Sequence, residues 1–148
     1  MLTVEWLSEI TDIKTEIETI AEEKKTALKT ILQTSNIKPY KHISKAVKAK
    51  HRAVFDYINI LDNHIQHLQQ SRKKILLAIR NVKNITFRRL LFARYVKGYT
   101  WERIAELINM SDIKWVRTSI HTKALKQLKT VLKVTLYKKS IKSIIYLC

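Results

Sequence analysis

The sequence has very few of the residues that make turns and disulfides. It contains one glycine, one proline and one cysteine in 148 residues. So little glycine and proline leaves few places for connections, and no strand pattern at regular spacing is present, so we predict an all-α chain with few, short connections. The single cysteine, Cys148, excludes an internal disulfide, which suits a reducing cytoplasm.

The sequence also lacks the signatures of membrane proteins, exported proteins and the common enzyme classes. No apolar run approaches the roughly 20 residues of a membrane-spanning helix, and the acidic, periodic start MLTVEWLSEI is unlike a secretory signal. No glycine-rich phosphate loop, nucleophile elbow or close pair of carboxylates in a polar loop is present. His64 and His67 lie three apart with no third ligand placed beside them. We therefore expect a cytoplasmic protein that is not an enzyme, with no cofactor, no metal and no membrane association.

Acidic residues are scarce after the first 35 residues. The formal net charge at pH 7 is +17. Residues 1–35 hold seven acids and four lysines, a net charge of −3, so the rest of the chain carries +20. Such a density of positive charge favours a polyanionic partner, most often nucleic acid. A lysine-rich composition inherited from the genome is the alternative explanation, and the concentration of basic residues in the C-terminal part favours the first.

Apolar residues follow a heptad-like pattern through the first half of the chain. Between residues 6 and 31 they alternate steps of four and three, with Lys24 as a charged interruption, so we predict a helix over about residues 3–33. Residues 34–41, with the only proline, Pro39, form the predicted connection, and a second long helix follows over about residues 42–83. The two apolar seams comprise Trp6, Ile10, Ile13, Ile17, Ile20, Ala27 and Ile31, and then Val47, Val54, Tyr57, Leu61, Leu68, Ile75, Ala78 and Val82.

The two long helices need partners, because a helix of roughly 45 Å is too long to be buried alone in so small a protein. We predict an antiparallel hairpin over residues 1–84, with pairing between two copies in a homodimer as the alternative. The second helix opens with basic residues and no acid before Asp56. These basic residues have two interpretations: they contact phosphates, or they form a solvated face that the acidic first helix neutralises. These residues are Lys38, Lys41, Lys45, Lys48, Lys50 and Arg52.

Residues 85–128 carry the signals of a helix-turn-helix. Thr86 is a candidate N-cap for a helix that starts at Phe87. Gly98, the only glycine, ends that helix in the left-handed conformation that favours glycine. Thr100 caps a second, short helix, whose first turn holds Glu102. The apolar side of this short helix comprises Ile104, Ala105 and Ile108.

The third helix of this unit is the one that would reach DNA. Asn109 adopts the left-handed conformation without being glycine, and Ser111 or Asp112 caps a helix that we predict to continue to about residue 137. In a helix-turn-helix the later helix lies in the major groove. Its predicted apolar side comprises Ile113, Val116, Ile120, Ala124, Leu128 and Val131. The opposite side comprises Ser111, Trp115, Thr118, Ser119, Thr122, Lys126 and Lys129, with Lys114 and Lys123 flanking it. Of these, we expect Ser111, Lys114, Trp115, Thr118, Ser119 and Thr122 to contact bases. We expect the apolar residues after residue 137 to dock on the protein core or on a second copy of the chain.

These residues also carry a resemblance. The string LLFARYVKGYTWERIAELI, with the later His121, resembles region 4 of bacterial sigma factors, and is more similar still to a family of small phage-encoded proteins of Gram-positive bacteria. That family combines a helical N-terminal part with a sigma-region-4-like helix-turn-helix. Asn109 stands where a glycine is common, and the distance from Ser111 to His121 exceeds the usual one by a residue or two. The family's recurring RY-x-x-G-x-[ST]-W-x-x-IA and H-x-x-AL features are matched by Arg94, Tyr95, Gly98, Thr100, Trp101, Ile104, Ala105, His121, Ala124 and Leu125.

The resemblance implies a DNA-binding transcriptional regulator, encoded by a phage or mobile element and acting in the cytoplasm of a bacterial host. We expect a helix-turn-helix domain over residues 85–148, double-stranded DNA as partner, and RNA polymerase as a further candidate partner. The alternative is a protein-interaction factor that binds a host or phage protein with little DNA specificity. We expect the outward side of the third helix to read bases, and phosphate contacts from Arg88, Arg89, Lys97, Arg103, Lys123 and Lys126.

Four further side chains have two interpretations. Trp115 packs on DNA or turns into the core, and core packing is favoured for it and for Trp101. Arg94 binds phosphate or forms an ion pair with Glu102 or Glu106. His121 lies near the domain core or contacts a phosphate.

Overall fold

The structure is a computed structural model that describes residues 2–34 and 43–145, with side chains for residues 3–34 and 43–135. Every regular element in these ranges is helical, which confirms the prediction of an all-α chain. No helix within the same ranges is both long enough and apolar enough to span a membrane.

Several neighbouring helical segments of the described residues join into longer helices. In chain order the elements are α1 (Leu2–Thr34), α2 (Lys45–Lys50), α3 (Arg52–Arg80), α4 (Ile85–Leu91), the π-helical turn π1 (Phe92–Val96), α5 (Trp101–Leu107), α6 (Ile113–Trp115), the π-helical turn π2 (Val116–Ile120) and α7 (His121–Ile145). The backbone keeps right-handed helical angles from α4 into π1, and again from α6 through π2 into α7, so residues 85–96 and 113–145 each form one continuous helix.

The chain divides into two compact units, and the unit of residues 12–71 is an antiparallel hairpin of α1 and α3. Lys24 Nζ lies 2.6 Å from Asp62 Oδ1, so the charged interruption of the heptad seam is neutralised across the hairpin. His64 Nε2 lies 3.3 Å from Glu16 Oε1. Residue numbers fall along one helix as they rise along the other, and both helices belong to one chain. The buried side chains of this unit are Ile13, Ile20, Ile31, Ile58 and Leu61.

The second predicted helix, over 42–83, is interrupted. His51 leaves the helical conformation, with φ −111° and ψ 34°, and separates α2 from α3. Ser44 caps α2, because its hydroxyl accepts a hydrogen bond from Val47 N. The predicted connection over 34–41 lies outside the described residues, apart from Thr34, which is still helical.

The other unit comprises residues 1–11 and 72–148. The predicted boundary at residue 84 divides the chain differently, because the first turns of α1 and the last turns of α3 bury apolar side chains together with the C-terminal helices. Thr11 Oγ1 donates to Tyr95 O at 3.5 Å within this unit. The core residues of this unit are Leu7, Ile10, Ile75, Ala78, Ile79, Val82, Leu90, Leu91, Ala93, Ile104, Ala105, Val116, Ile120, Ala124 and Leu128.

Two predicted helix boundaries are wrong. Asn84, and not Thr86, caps α4, because the Asn84 side-chain oxygen accepts a hydrogen bond from Phe87 N at 3.2 Å. The last helix continues to Ile145 and does not end near residue 137. The predicted docking of the apolar tail falls on residues 138–148, whose side chains lie outside the described part of the chain.

Candidate nucleic-acid interface

The short helix α5 is fixed at its start by a tight turn. Gly98 has φ +68°, the left-handed conformation that the sequence predicted, and Tyr99 N donates to Ala93 O at 2.9 Å across the turn. Thr100 Oγ1 accepts a hydrogen bond from Arg103 N at 3.4 Å and caps α5. Hydrogen bonds from the backbone and from Thr100 to the Glu102 carboxylate lower the pKa of Glu102. The negative charge therefore stays at the helix N-terminus, where it is favourable.

The turn between α5 and the last helix is a Schellman motif. Asn109 has φ +56°, as predicted. Its N–H donates to Glu106 O at 3.1 Å, while Met110 N donates to Ala105 O at 2.9 Å, which are the two bonds of that motif. Asp112 then starts the last helix, because its carboxylate accepts a hydrogen bond from Trp115 N at 2.9 Å. Of the two predicted caps, Ser111 and Asp112, the structure selects Asp112.

The last helix presents its predicted outward side to solvent. Val116, Ile120, Ala124 and Leu128 are buried on the opposite side and hold the helix on the core. Val131 is half-buried, and Ile113, which we predicted on the apolar side, is 38% exposed. Of the six predicted base-reading residues, Ser119 is half-buried and the other five are exposed: Ser111, Lys114, Trp115, Thr118 and Thr122.

Trp115 does not pack in the core, so the favoured interpretation of this residue is wrong. Its side chain is 51% exposed, because the neighbouring Val116 occupies the core position at this point of the helix. Lys123 Nζ lies 5.7 Å from the centroid of the Trp115 ring, which is cation–π distance. A large aromatic surface and a basic group therefore lie side by side on the outward face.

The threonine hydroxyls on this face are already bonded to the helix. Thr118 Oγ1 donates to Lys114 O at 2.7 Å, and Thr122 Oγ1 donates to Thr118 O at 2.6 Å. Each hydroxyl hydrogen is used by the backbone. The oxygen lone pairs and the methyl groups are what these side chains can offer to a ligand.

The π-helical turn π2 changes which side chains face outward before His121. A π-helical turn takes up one residue more than an α-helical turn, since its hydrogen bonds run from residue i to i+5. Val116 and Ile120, at its two ends, stay buried, and Arg117 is exposed. An α-helical projection places Arg117 towards the apolar side, so sequence analysis missed this basic residue.

The motif residues that carry the family resemblance meet in one aromatic cluster. Tyr95 Oη lies 2.8 Å from His121 Nε2, and the Trp101 ring packs edge-on against His121 with 5.0 Å between centroids. Arg94 Cζ lies 4.7 Å from the centroid of the Trp101 ring. Trp101 is half-buried by these contacts. The cluster joins π1, α5 and the start of α7, and so it fixes the last helix relative to the helices before it.

Charge and burial set the protonation state of this cluster. Burial lowers the pKa of His121, and the positive charge of Arg94 lowers it further. In the neutral tautomer that carries its proton on Nδ1, His121 accepts the hydrogen bond that the Tyr95 hydroxyl donates. Burial raises the pKa of Tyr95, against the opposing effect of Arg94, so the phenol keeps its proton. His121 is half-buried in this cluster, near the domain core, which agrees with the first of its two interpretations.

Arg94 does not form the ion pair that was one of its two interpretations. Within the described part of the chain, neither Glu102 nor Glu106 has a carboxylate oxygen within 4.0 Å of a cationic nitrogen. Arg94 Nη1 instead donates to Tyr99 O at 3.0 Å. The guanidinium closes the turn at Gly98 and is held in place by Trp101.

The six predicted phosphate-contacting residues all lie in the same unit, in three settings. Lys97 and Arg103 lie over aromatic rings, Lys97 Nζ at 5.8 Å from the Phe92 centroid and Arg103 Cζ at 3.9 Å from the Tyr99 centroid. Arg88 is half-buried, and its Nη1 lies 3.4 Å from Arg80 O at the end of α3. The exposed residues Arg89, Lys123 and Lys126 complete the set, and the two lysines line a groove of about 760 Å³ with Lys83, Phe87 and Gln127.

No family model, curated protein or solved structure matches this chain.

A second groove is lined by residues of α3, α4 and the start of π1. It has a volume of about 510 Å³ and is lined by Leu76, Ile79, Ile85 and Phe92 together with Arg80, Arg88 and Arg89. Ile85 is 58% exposed and Phe92 is 40% exposed. Arg88 and Arg89, predicted to contact phosphate, thus border an apolar surface.

Proposed function

We propose that this protein is a DNA-binding transcriptional regulator whose last helix enters the major groove. The observation that carries the proposal is the outward face of residues 111–122. It is exposed on a helix whose other side is buried, and it follows a tight turn closed by Asn109 and Asp112. A helix of this kind, braced by a shorter one, is the element that helix-turn-helix proteins place in the groove.

Charge supports the same proposal. The interface carries lysines and arginines on both sides of the outward face, and the chain as a whole carries +17. Lysine and arginine side chains that contact phosphates release counterions from DNA, which provides most of the non-specific affinity. In this proposal the residues that contact phosphates are Arg88, Arg89, Lys97, Arg103, Lys123 and Lys126. Arg88 does so through the N–H groups that are not bonded to Arg80 O. The residues that contact base edges are Ser111, Lys114, Trp115, Thr118, Ser119 and Thr122.

The sequence supports a role in transcription. Residues 88–128 resemble region 4 of bacterial sigma factors and the helix-turn-helix of small phage-encoded regulators. The bacterial cytoplasm and a phage or mobile element as the source follow from that resemblance and are part of the proposal.

A gel shift tests this proposal. Wild-type protein is titrated into duplexes from the promoter regions of the genetic element that encodes it, with random duplex of equal length as competitor. We expect tighter binding to at least one promoter duplex, and a several-fold loss in affinity for Lys114→Ala combined with Thr118→Ala, since the double variant removes one ammonium and one hydroxyl from the base-contacting residues.

The matched control is Lys29→Ala combined with Thr30→Ala on α1. It removes the same charge, and Thr30 Oγ1 donates to Thr26 O at 3.1 Å just as Thr118 donates to Lys114. The control is expected to bind as the wild type does. Equal losses in both variants, or binding no tighter than to random duplex, would contradict the proposal.

The second groove favours a second candidate, a factor that binds a host or phage protein such as RNA polymerase. Exposed apolar side chains rimmed by arginines suit an acidic, partly apolar protein segment. Purification from nuclease-treated host lysate separates the two candidates. The protein-binding candidate is supported if a stoichiometric protein partner copurifies with the wild type after nuclease treatment and does not copurify with Phe92→Glu.

A further inference from the structure

We propose that the outward face of the last helix reads thymine, through contact of Trp115 and Ile113 with thymine methyl groups in the major groove. This inference rests on the proposed function and deepens it by naming the kind of DNA sequence. It follows from which chemical groups the face offers and which it lacks.

The six residues predicted to read bases include few of the side chains that usually distinguish bases by paired hydrogen bonds. Guanine is read mostly by arginine or lysine, adenine by asparagine or glutamine, and cytosine by acidic side chains. The six residues include no arginine, asparagine, glutamine, aspartate or glutamate, and the exposed Arg117 beside them is the one arginine of residues 111–122. Lys114 is the only charged donor among the six, and its flexible ammonium lacks the planar fork of arginine.

The hydroxyl groups do not replace the missing donors. Thr118 and Thr122 donate their hydroxyl hydrogens to Lys114 O and Thr118 O at 2.7 and 2.6 Å. While these bonds are kept, both side chains act on a base as acceptors or through their methyl groups. Adenine and cytosine amino groups can donate to them, but a single acceptor discriminates weakly.

Apolar contact is the chemistry that the face supplies in quantity. Trp115 is 51% exposed and Ile113 is 38% exposed, both in the first turn of the last helix. The N-terminal part of a recognition helix is the part that meets base edges. The C5-methyl of thymine is the apolar group that the major groove presents there.

Basic side chains at the edge of this apolar patch suit the same partner. Lys123 Nζ lies 5.7 Å from the centroid of the Trp115 ring, and Lys114 and Arg117 are both exposed. Phosphates flank every base pair, so an apolar patch with cationic neighbours matches thymine methyls bordered by phosphate oxygens. An apolar protein segment would leave these cations without partners.

Removal of single methyl groups from DNA tests the inference. Preferred duplexes are first selected from a random library with the wild-type protein, and each thymine is then replaced in turn by deoxyuridine, which lacks only the methyl group. We expect one or more positions at which deoxyuridine weakens binding by roughly three- to tenfold, about the effect of one buried methyl group and its packing. Replacing that thymine with 5-methylcytosine, paired with guanine, keeps the methyl group and changes the hydrogen-bonding groups. This replacement therefore separates an effect of the methyl group from an effect of the hydrogen-bonding groups of thymine.

The variants assign the methyl contact to the named residues. In Trp115→Ala the ratio of affinities for thymine and deoxyuridine duplexes is expected to fall towards one. Trp115→Phe is expected to retain part of the preference for thymine. Leu77→Ala is the matched control, since Leu77 is another exposed apolar residue, 47% exposed, on α3. It is expected to keep the wild-type ratio.

The outcomes separate this inference from the proposed function. Preferred binding to a selected duplex with no loss at any deoxyuridine position, or with a loss that persists in Trp115→Ala, overturns the thymine inference and leaves DNA binding standing. Failure to prefer any selected duplex over random DNA overturns sequence-specific DNA binding, and the thymine inference with it. A loss at particular thymines that disappears in Trp115→Ala and stays in Leu77→Ala supports both.

Discussion

His121 makes the stability of the C-terminal unit depend on pH. Burial and the charge of Arg94 hold its pKa below the ordinary value of 6.5. As the pH falls, His121 is therefore protonated in the unfolded chain before it is protonated in the folded one. The contribution of His121 to the free energy of unfolding is fully present above pH 6.5 and is lost as the pH decreases below that value. The neutral ring that carries its proton on Nδ1 accepts the hydrogen bond from Tyr95.

We therefore expect the free energy of unfolding to decrease between about pH 7.5 and about pH 5.5, by less in His121→Gln than in wild type. Glutamine keeps an acceptor for Tyr95 but does not titrate. Urea denaturation followed by circular dichroism at both pH values measures the difference. His67→Gln is the control, since His67 is an exposed histidine on α3. An unchanged pH dependence in His121→Gln together with a reduced one in His67→Gln would contradict the assignment.

At the scale of single residues, the sequence predicted where conformations are unusual better than where side chains lie. Gly98 and Asn109 were predicted as left-handed, because few residues adopt that conformation. Trp115 was expected in the core, which was wrong, and the ion pair that was one of two interpretations of Arg94 does not form. Hydrophobicity does not reveal that Val116 already fills the core position beside Trp115, and charge does not reveal that Arg94 bonds to Tyr99 O and lies over the Trp101 ring.

The start of α4 provides a prediction at the scale of one element. The side chain of Asn84 accepts a hydrogen bond from Phe87 N, while Thr86 lies inside the helix. We expect Asn84→Ala to lower the free energy of unfolding by about 1 kcal/mol, the usual effect of losing an N-cap. Thr86→Ala is expected to change it by less, since alanine has the higher helix propensity and partly offsets lost packing. Thermal or urea denaturation measures both.

A complication is that Asn84 N also donates to Gln127 Oε1 at 3.1 Å. That bond uses the backbone of residue 84 and survives the substitution, so the loss reports the side-chain cap alone. A larger loss for Thr86→Ala than for Asn84→Ala would contradict the cap seen here.

Helix boundaries that depend on local chemistry could be predicted from the sequence, and those that depend on packing could not. Thr100 and Asp112 were among the predicted caps because their short polar side chains bond to free backbone N–H groups. The two π-helical turns were not predicted, since no residue type distinguishes a hydrogen bond to i+4 from one to i+5. The break at His51 was missed for a similar reason, as neither glycine nor proline marks it.

At the scale of the whole molecule, the sequence predicted the helical hairpin but not the division of the chain. Heptad spacing identified α1 and α3, and Lys24 pairs with Asp62 between them. The prediction ended the hairpin at residue 84. Apolar residues at the ends of the long helices, Leu7 and Ile79 among them, instead belong to the core of the C-terminal unit.

The net charge of the whole molecule leads to the last prediction, which concerns salt. At roughly 0.15 M salt, charges more than about 8 Å from a phosphate are largely screened, so only contacting side chains release counterions from DNA. We expect the slope of log Kobs against log salt to become shallower by about 0.9 for Lys123→Gln and again for Lys126→Gln. Lys45→Gln, which removes the same charge from the exposed start of α2, is expected to keep the wild-type slope. Fluorescence anisotropy across a salt series measures all three, and equal changes in slope would indicate that total charge, and not the surface around the last helix, binds DNA.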